Sequence, residues 1–166
     1  MSGFIVIARN IYVFKIVTFL GFFLLYNGYM ERNNIAIITG ASSGLGKEFV
    51  KLLVNDNSLD KIFVLSRNEE KLNSLKSEYG NKIQPYSIDL SDTENIKNFG
   101  KFLETQNVNL KILINNAGFA KFCCYEDISI DESVNMINLN ISGVVAMGLV
   151  CIPFMHKGSH IINVAS

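Results

Sequence analysis

The sequence predicts an α/β fold, a doubly wound parallel sheet, from three observations. Short, wholly apolar runs alternate with amphipathic stretches from Asn34 onward. No hairpin signal joins one strand to the next. A glycine-rich turn sits at the first strand-to-helix junction, Thr39 to Gly46.

Each element follows in order. Ile35-Ala36-Ile37-Ile38 reads as a strand buried on both faces, ending at Thr39-Gly40. The helix after Gly44 places Leu45, Phe49, Leu52 and Leu53 on one face. Lys61 to Ser66 is the second strand, followed by a helix carrying Leu72, Leu75 and Tyr79. Lys82 to Ile88 is the third strand. Ser91 or Asp92 caps a helix that buries Ile96, Phe99, Phe102 and Leu103. Lys111 to Ile114 is the fourth strand, and a long helix over Asp131 to Met155 carries Val134, Ile137, Ile141 and Val144. His160 to Ala165 is the fifth, and right-handed crossovers fix the hand of each unit.

Composition narrows the function. The 166 residues carry 15 basic and 15 acidic side chains, a net charge of zero, with no basic cluster. That excludes a nucleic-acid binder, which needs a basic stripe. Cys123, Cys124 and Cys151 show no ligand spacing and read as reduced thiols of a cytoplasmic protein. His156 and His160 flank Lys157-Gly158-Ser159, a helix end and turn, so no metal site is read there. Residues 1–29 stand apart from the domain expected over 30–166, and apolar residues dominate 4–29. Three readings stay open for them: a membrane anchor with Lys15 snorkelling, sequence upstream of a start at Met30, or a cleaved signal peptide.

The glycine turn carries chemistry. Thr39-Gly40-Ala41-Ser42-Ser43-Gly44-Leu45-Gly46 lies where a dinucleotide pyrophosphate meets a helix N-terminus, with backbone N–H groups facing the phosphates. It is no P-loop, because Gly-Lys-Ser/Thr is absent.

With this turn the chain resembles the short-chain dehydrogenase/reductase family in its non-extended branch, whose loop reads Thr-Gly-x-x-x-Gly-x-Gly. Four further motifs carry the resemblance: Asp89-Leu90, Asn115-Asn116-Ala117-Gly118, Leu139-Asn140-Ile141-Ser142-Gly143, and Ile161-Ile162-Asn163-Val164-Ala165-Ser166. The resemblance implies a Rossmann-like domain and hydride transfer between a nicotinamide and an alcohol/carbonyl pair. It implies cofactor contacts from Gly40, Ser42, Ser43, Gly44, Leu45, Gly46, Asp89, Leu90, Asn116, Ala117 and Gly118. Asn140 and Ser166 match two members of the family's catalytic tetrad. Cys123-Cys124 fall in the loop the family places near substrate, where they read as ordinary loop thiols.

The family's acid/base is a tyrosine tuned by a lysine four residues on, since a phenol of pKa near 10 needs a neighbouring cation at neutral pH. No tyrosine of this sequence has a lysine four residues later. In the family that motif follows the fifth strand, so the expectation is a chain truncated after that strand and inactive as it stands. Ser66-Arg67 ends the second strand, where NAD enzymes place an acid. The cofactor expected is therefore NADP(H) rather than NAD(H), with Arg67 on the 2′-phosphate. The same pair argues against a methyltransferase, which uses an acidic residue there. A non-catalytic nucleotide-binding module and a membrane-anchored interaction protein are the other rivals. The partners expected are a small alcohol or carbonyl compound, left open in identity, and, for the complete protein, a homo-oligomer.

Overall fold

In the computed structural model, which describes residues 32–165, the apolar runs become β1 (Asn33–Thr39), β2 (Lys61–Ser66), β3 (Ile83–Ser87), β4 (Val108–Asn115) and β5 (Met155–Asn163). All pair in parallel, in the order β3-β2-β1-β4-β5. Four helices connect them: α1 (Gly44–Val54), α2 (Glu69–Tyr79), α3 (Thr93–Thr105) and α4 (Ile130–Phe154). Segment 4–29 and Ser166 lie outside the described residues.

The alternation of β1 builds both layers. Ile35 and Ile37 face one cluster, with Ile96, Phe99 and Leu103 of α3 and Met147 and Cys151 of α4. Ala36 and Ile38 face the other, with Val50 of α1 and Leu72 and Leu75 of α2. A strand buried on both faces must be apolar at every position, which is why Ile35 to Ile38 reads as an unbroken run. Pro85 is tolerated in β3 because β3 is at the edge of the described strands. Tyr86 packs edge-on to Phe99, with ring centroids 4.8 Å apart.

The helix faces differ from the sequence reading in two places. On α1, Phe49 and Leu53 turn inward, but Leu45 and Leu52 are exposed and Val50 takes the buried position. On α4, Val134, Ile137 and Ile141 are exposed, and the inward face is Gly143, Met147 and Cys151. α4 is apolar on all sides, so periodicity alone does not orient it. Two glycines set its packing: a Cβ on Gly143 would stand 2.7 Å from the Leu90 carbonyl oxygen, and one on Gly100 of α3 3.2 Å from Val150 Cβ. Between its α-helical ends, Asn138–Gly143 is π-helical. This helix is long and apolar enough to cross a bilayer, but its inner face packs on α3 and β4.

β5 starts earlier than its apolar pattern. Met155 pairs with Leu110 and His160 with Ile112, so residues 156–159 bulge from the ladder. The Ser159 hydroxyl closes the bulge, donating to the Leu110 carbonyl at 2.7 Å and accepting from the His156 amide at 3.1 Å.

Candidate functional site

The chain winds from β1 out to β3, then returns to β4 and β5 on the opposite side. The carboxyl ends of β1 and β4 therefore form the switch point where a crevice opens. Thr39, buried at the end of β1, holds the crevice floor. Its hydroxyl accepts from the Asn116 and Ala117 amides, both at 2.9 Å, and donates to the Ile114 carbonyl at 3.4 Å. The Asn116 side chain returns the tie, donating to the Thr39 and Gly40 carbonyls at 3.1 and 3.3 Å.

The turn above this floor demands glycine. Gly40 has φ +65°, and a Cβ there would sit 2.9 Å from Ala117 Cα. At Gly46 a Cβ would collide with the Gly40 carbonyl oxygen, so this glycine lets α1 lie against the strand ends.

The N-terminus of α1 differs from those of the other helices. Asn68 caps α2, Asp92 caps α3, and Ser129 with Glu132 forms a capping box on α4. Ser43 makes no side-chain cap on α1, and no acidic residue occupies its first turn. Beside it, nothing lies within 4 Å of where a Gly44 Cβ would be. Uncapped N–H groups at the positive end of a helix, facing open space, suit an anion.

That space is a groove of about 880 Å³, and most of the residues expected from sequence line it. Gly40, Ser42, Ser43, Gly44 and Leu45 come from the turn, Arg67 from the end of β2, Asp89 and Leu90 from beyond β3, Asn116, Ala117 and Gly118 from beyond β4, and Asn140 from α4. The exposed Leu45 is thus a groove residue rather than a core one. Gly46 does not line the groove; its role is packing. Ser166 lies outside the described residues.

The two ends of the groove are chemically distinct. At one, Arg67 and Asp89 also border a smaller cavity of about 330 Å³ with Tyr86, Asn95 and Asn98. Partial burial of Asp89, the largest single influence, pushes its carboxyl pKa upward. The Ser91 amide and hydroxyl, donating to Oδ1 at 3.0 and 2.7 Å, and the Arg67 charge together outweigh this and hold it below the usual range. At the other end, Asn140 clasps the Phe119 main chain: Nδ2 donates to its carbonyl at 2.8 Å and Oδ1 accepts from its amide at 3.1 Å. Gly118 leaves room for this clasp, since a Cβ there would be 3.1 Å from Asn140 Oδ1. Phe119, Ala120, Phe122, Leu139, Val164 and Ala165 also line the groove. Leu139, Val164 and Ala165 stand within the sequence motifs, whereas Phe119, Ala120 and Phe122 were missed; the available signal was two phenylalanines in the loop just after Gly118. The three cysteines are free, and burial pushes the Cys151 thiol up to about 12.

Comparison with known proteins places these features. Residues 34–166 match the family model described as short chain dehydrogenase. An oxidoreductase of Botryotinia fuckeliana is 29% identical over 135 residues, which are 80% of this chain and 48% of the relative. An uncharacterized oxidoreductase of Staphylococcus epidermidis is 29% identical over 137 residues, covering 81% of this chain and 59% of that one. Among solved structures, the closed form of serine dehydrogenase complexed with NADP+ superposes with a TM-score of 0.70 at 29% identity, over 80% of this chain and 54% of that one. Serine dehydrogenase from Escherichia coli gives 0.69 at 28% identity, over 80% and 62%. The chain therefore spans between about half and three fifths of the curated relatives.

Proposed function

The chain belongs to the short-chain dehydrogenase family, and we propose that its groove binds NADP(H) for hydride transfer between the nicotinamide and an alcohol/carbonyl pair. The observation that carries this is the uncapped N-terminus of α1 opening into a groove shared by Arg67, Asp89 and Asn140. When bound, the nicotinamide would supply or accept the hydride.

The chain's own residues do the rest. The first amides of α1 receive the pyrophosphate. Arg67 takes the ribose 2′-phosphate through a charge-assisted contact. Asp89 has Oδ1 committed to Ser91, which leaves Oδ2 for the adenine amino group. Asn140 fixes the loop at the reacting end, and Ser166 hydrogen-bonds the substrate oxygen. No Tyr-x-x-x-Lys occurs among the 166 residues to move the proton, so the chain by itself should match a no-protein blank with both nicotinamide cofactors and a panel of ketones. Turnover abolished by Ser166→Ala would overturn that expectation.

The NADP-bound serine dehydrogenase relative supports the choice of cofactor. Arg67→Ala tests it: dissociation constants for NADPH and NADH are measured at one ionic strength. A hydrogen bond to a charged group contributes roughly 1.5–3 kcal/mol, so NADPH should weaken by at least about tenfold while NADH changes little. Equal weakening of both cofactors would remove the assignment. The exposed apolar stripe of α4 supports a homo-oligomer as well.

A further inference from the structure

We infer that Cys123 and Cys124 together form a two-thiol site for a soft, thiophilic centre that bonds both sulfurs at once, of which a trivalent organoarsenical is the simplest. The site stands apart from the nucleotide reading, because neither cysteine is among the residues that line the groove.

Position separates these two thiols from the third. Cys123 and Cys124 are both exposed, whereas Cys151 is sealed in the core cluster with Leu103 and Met147. The backbone that carries the pair is tied on either side. Before it, Asn140 clasps the Phe119 main chain, and Lys121 donates to the Asp127 carbonyl at 2.9 Å and pairs with Glu132 at 2.8 Å. After it, the Asp127 amide donates to the Cys124 carbonyl at 3.0 Å. Thiols on a backbone already held lose little further freedom when one ligand joins them, and that favours chelation.

Distance decides what can join them. The peptide bond between the two cysteines is trans, so their Cα atoms stand about 3.8 Å apart. A disulfide usually spans roughly 4.4–6.8 Å between Cα atoms, so direct closure of an S–S bond is strained. An interposed atom enlarges the ring by one member and relieves that strain. Soft sulfur ligands select soft centres for the place. With hydrated phenylarsine oxide, two As–O bonds break and two As–S bonds form. The two thiol protons leave with the oxygens as two water molecules, and no atom changes oxidation state. The captured arsenic is then carried beside Phe122, a side chain that lines the groove.

The test titrates the reduced 166-residue chain with phenylarsine oxide and counts adducts by intact-mass spectrometry. One arsenical per chain is expected, mapped to the peptide that contains both Cys123 and Cys124. Cys123→Ser and Cys124→Ser should each weaken binding by at least about a hundredfold, because the second bond is then no longer intramolecular. Cys151→Ser, at a distant and independent position, should leave affinity within about twofold. A dithiol such as 2,3-dimercaptopropanol should release the arsenical, and a monothiol at equal thiol concentration should not. Cys123→Ala and Cys124→Ala accompany the serine variants, with melting curves for all, so that a folding defect is recognised. Undiminished affinity in the Ser and Ala variants of either Cys123 or Cys124 would reveal a one-thiol adduct and overturn the site. Release by the monothiol, or loss of the adduct in Cys151→Ser, overturns it as well.

Discussion

β1 and β5 both flank β4, and both are isoleucine-rich, yet their surroundings are opposite. Ile35 to Ile38 of β1 are 0% exposed, whereas Ile161 and Ile162 of β5 are 41% and 43% exposed. β1 has strands on both sides and helices on both faces; among the described strands, β5 is paired on one side. The helices repeat the contrast. α3 buries Ile96, Phe99 and Leu103, while α4 exposes Ile137, Ile141, Val145 and Leu149. An apolar run therefore identifies a strand or helix without saying whether anything covers it. The β5 and α4 flank is uncovered among the described residues, and the β1 centre holds the fold together.

Substitution should separate the two regions most sharply. Ile37→Ala, in the centre, should cost about 2–5 kcal/mol in a denaturant titration. Ile162→Ala, on the flank, should cost less than about 1 kcal/mol, because little apolar area leaves the interior. Equal costs would erase the distinction. A medium effect is expected from Val145→Lys with Leu149→Lys on α4. Both residues are exposed, so stability should move by no more than about 0.5 kcal/mol each. Self-association measured by sedimentation should nonetheless drop by about tenfold, the equivalent of roughly 1.4 kcal/mol. Unchanged association would show that this stripe is not the contact surface.

The smallest effect concerns the start of α4. The Glu132 carboxyl is held at about 2, well below its ordinary 4.5, first by its bond from Lys121 and then by Ser129. A depressed acid stabilises the fold above its unfolded pKa and ceases to do so as pH falls through the folded value. Amide exchange in residues 121–133 should therefore quicken as pH drops from 4.5 toward 2, after correction for intrinsic rates. Glu132→Gln should flatten that dependence. A pH profile identical in both proteins would break the assignment.

Much of the fold was legible in the residues because local signals agreed. Apolar runs bounded by polar turns gave the strand order along the chain, and Asp92, one of two cap candidates, marked a helix start through its own hydrogen bond. The turn from Thr39 to Gly46 was legible because backbone geometry there admits few residue types. Other features depended on packing partners far away in sequence. The orientation of α4 follows from Gly100 and Gly143, whose close contacts lie on other elements. The bulge over 156–159 depends on a Ser159 bond to Leu110, and Phe122 belongs to the groove because Asn140 positions the neighbouring loop.

The π-helical turn at Asn138–Gly143 acts as a phase shift within α4. Its hydrogen bonds span one residue more than those of an α-helix. The stretch before it, which starts at the capped Ser129, and the stretch after it, which meets α3 at Gly100, are thereby clocked independently. Removing one residue from the turn would restore a regular helix and rotate everything beyond it by about 100°. Asn140 could then keep its clasp on Phe119 only if Met147 and Cys151 left the core. The extra residue is what lets one helix serve the groove at its middle and the sheet at its end.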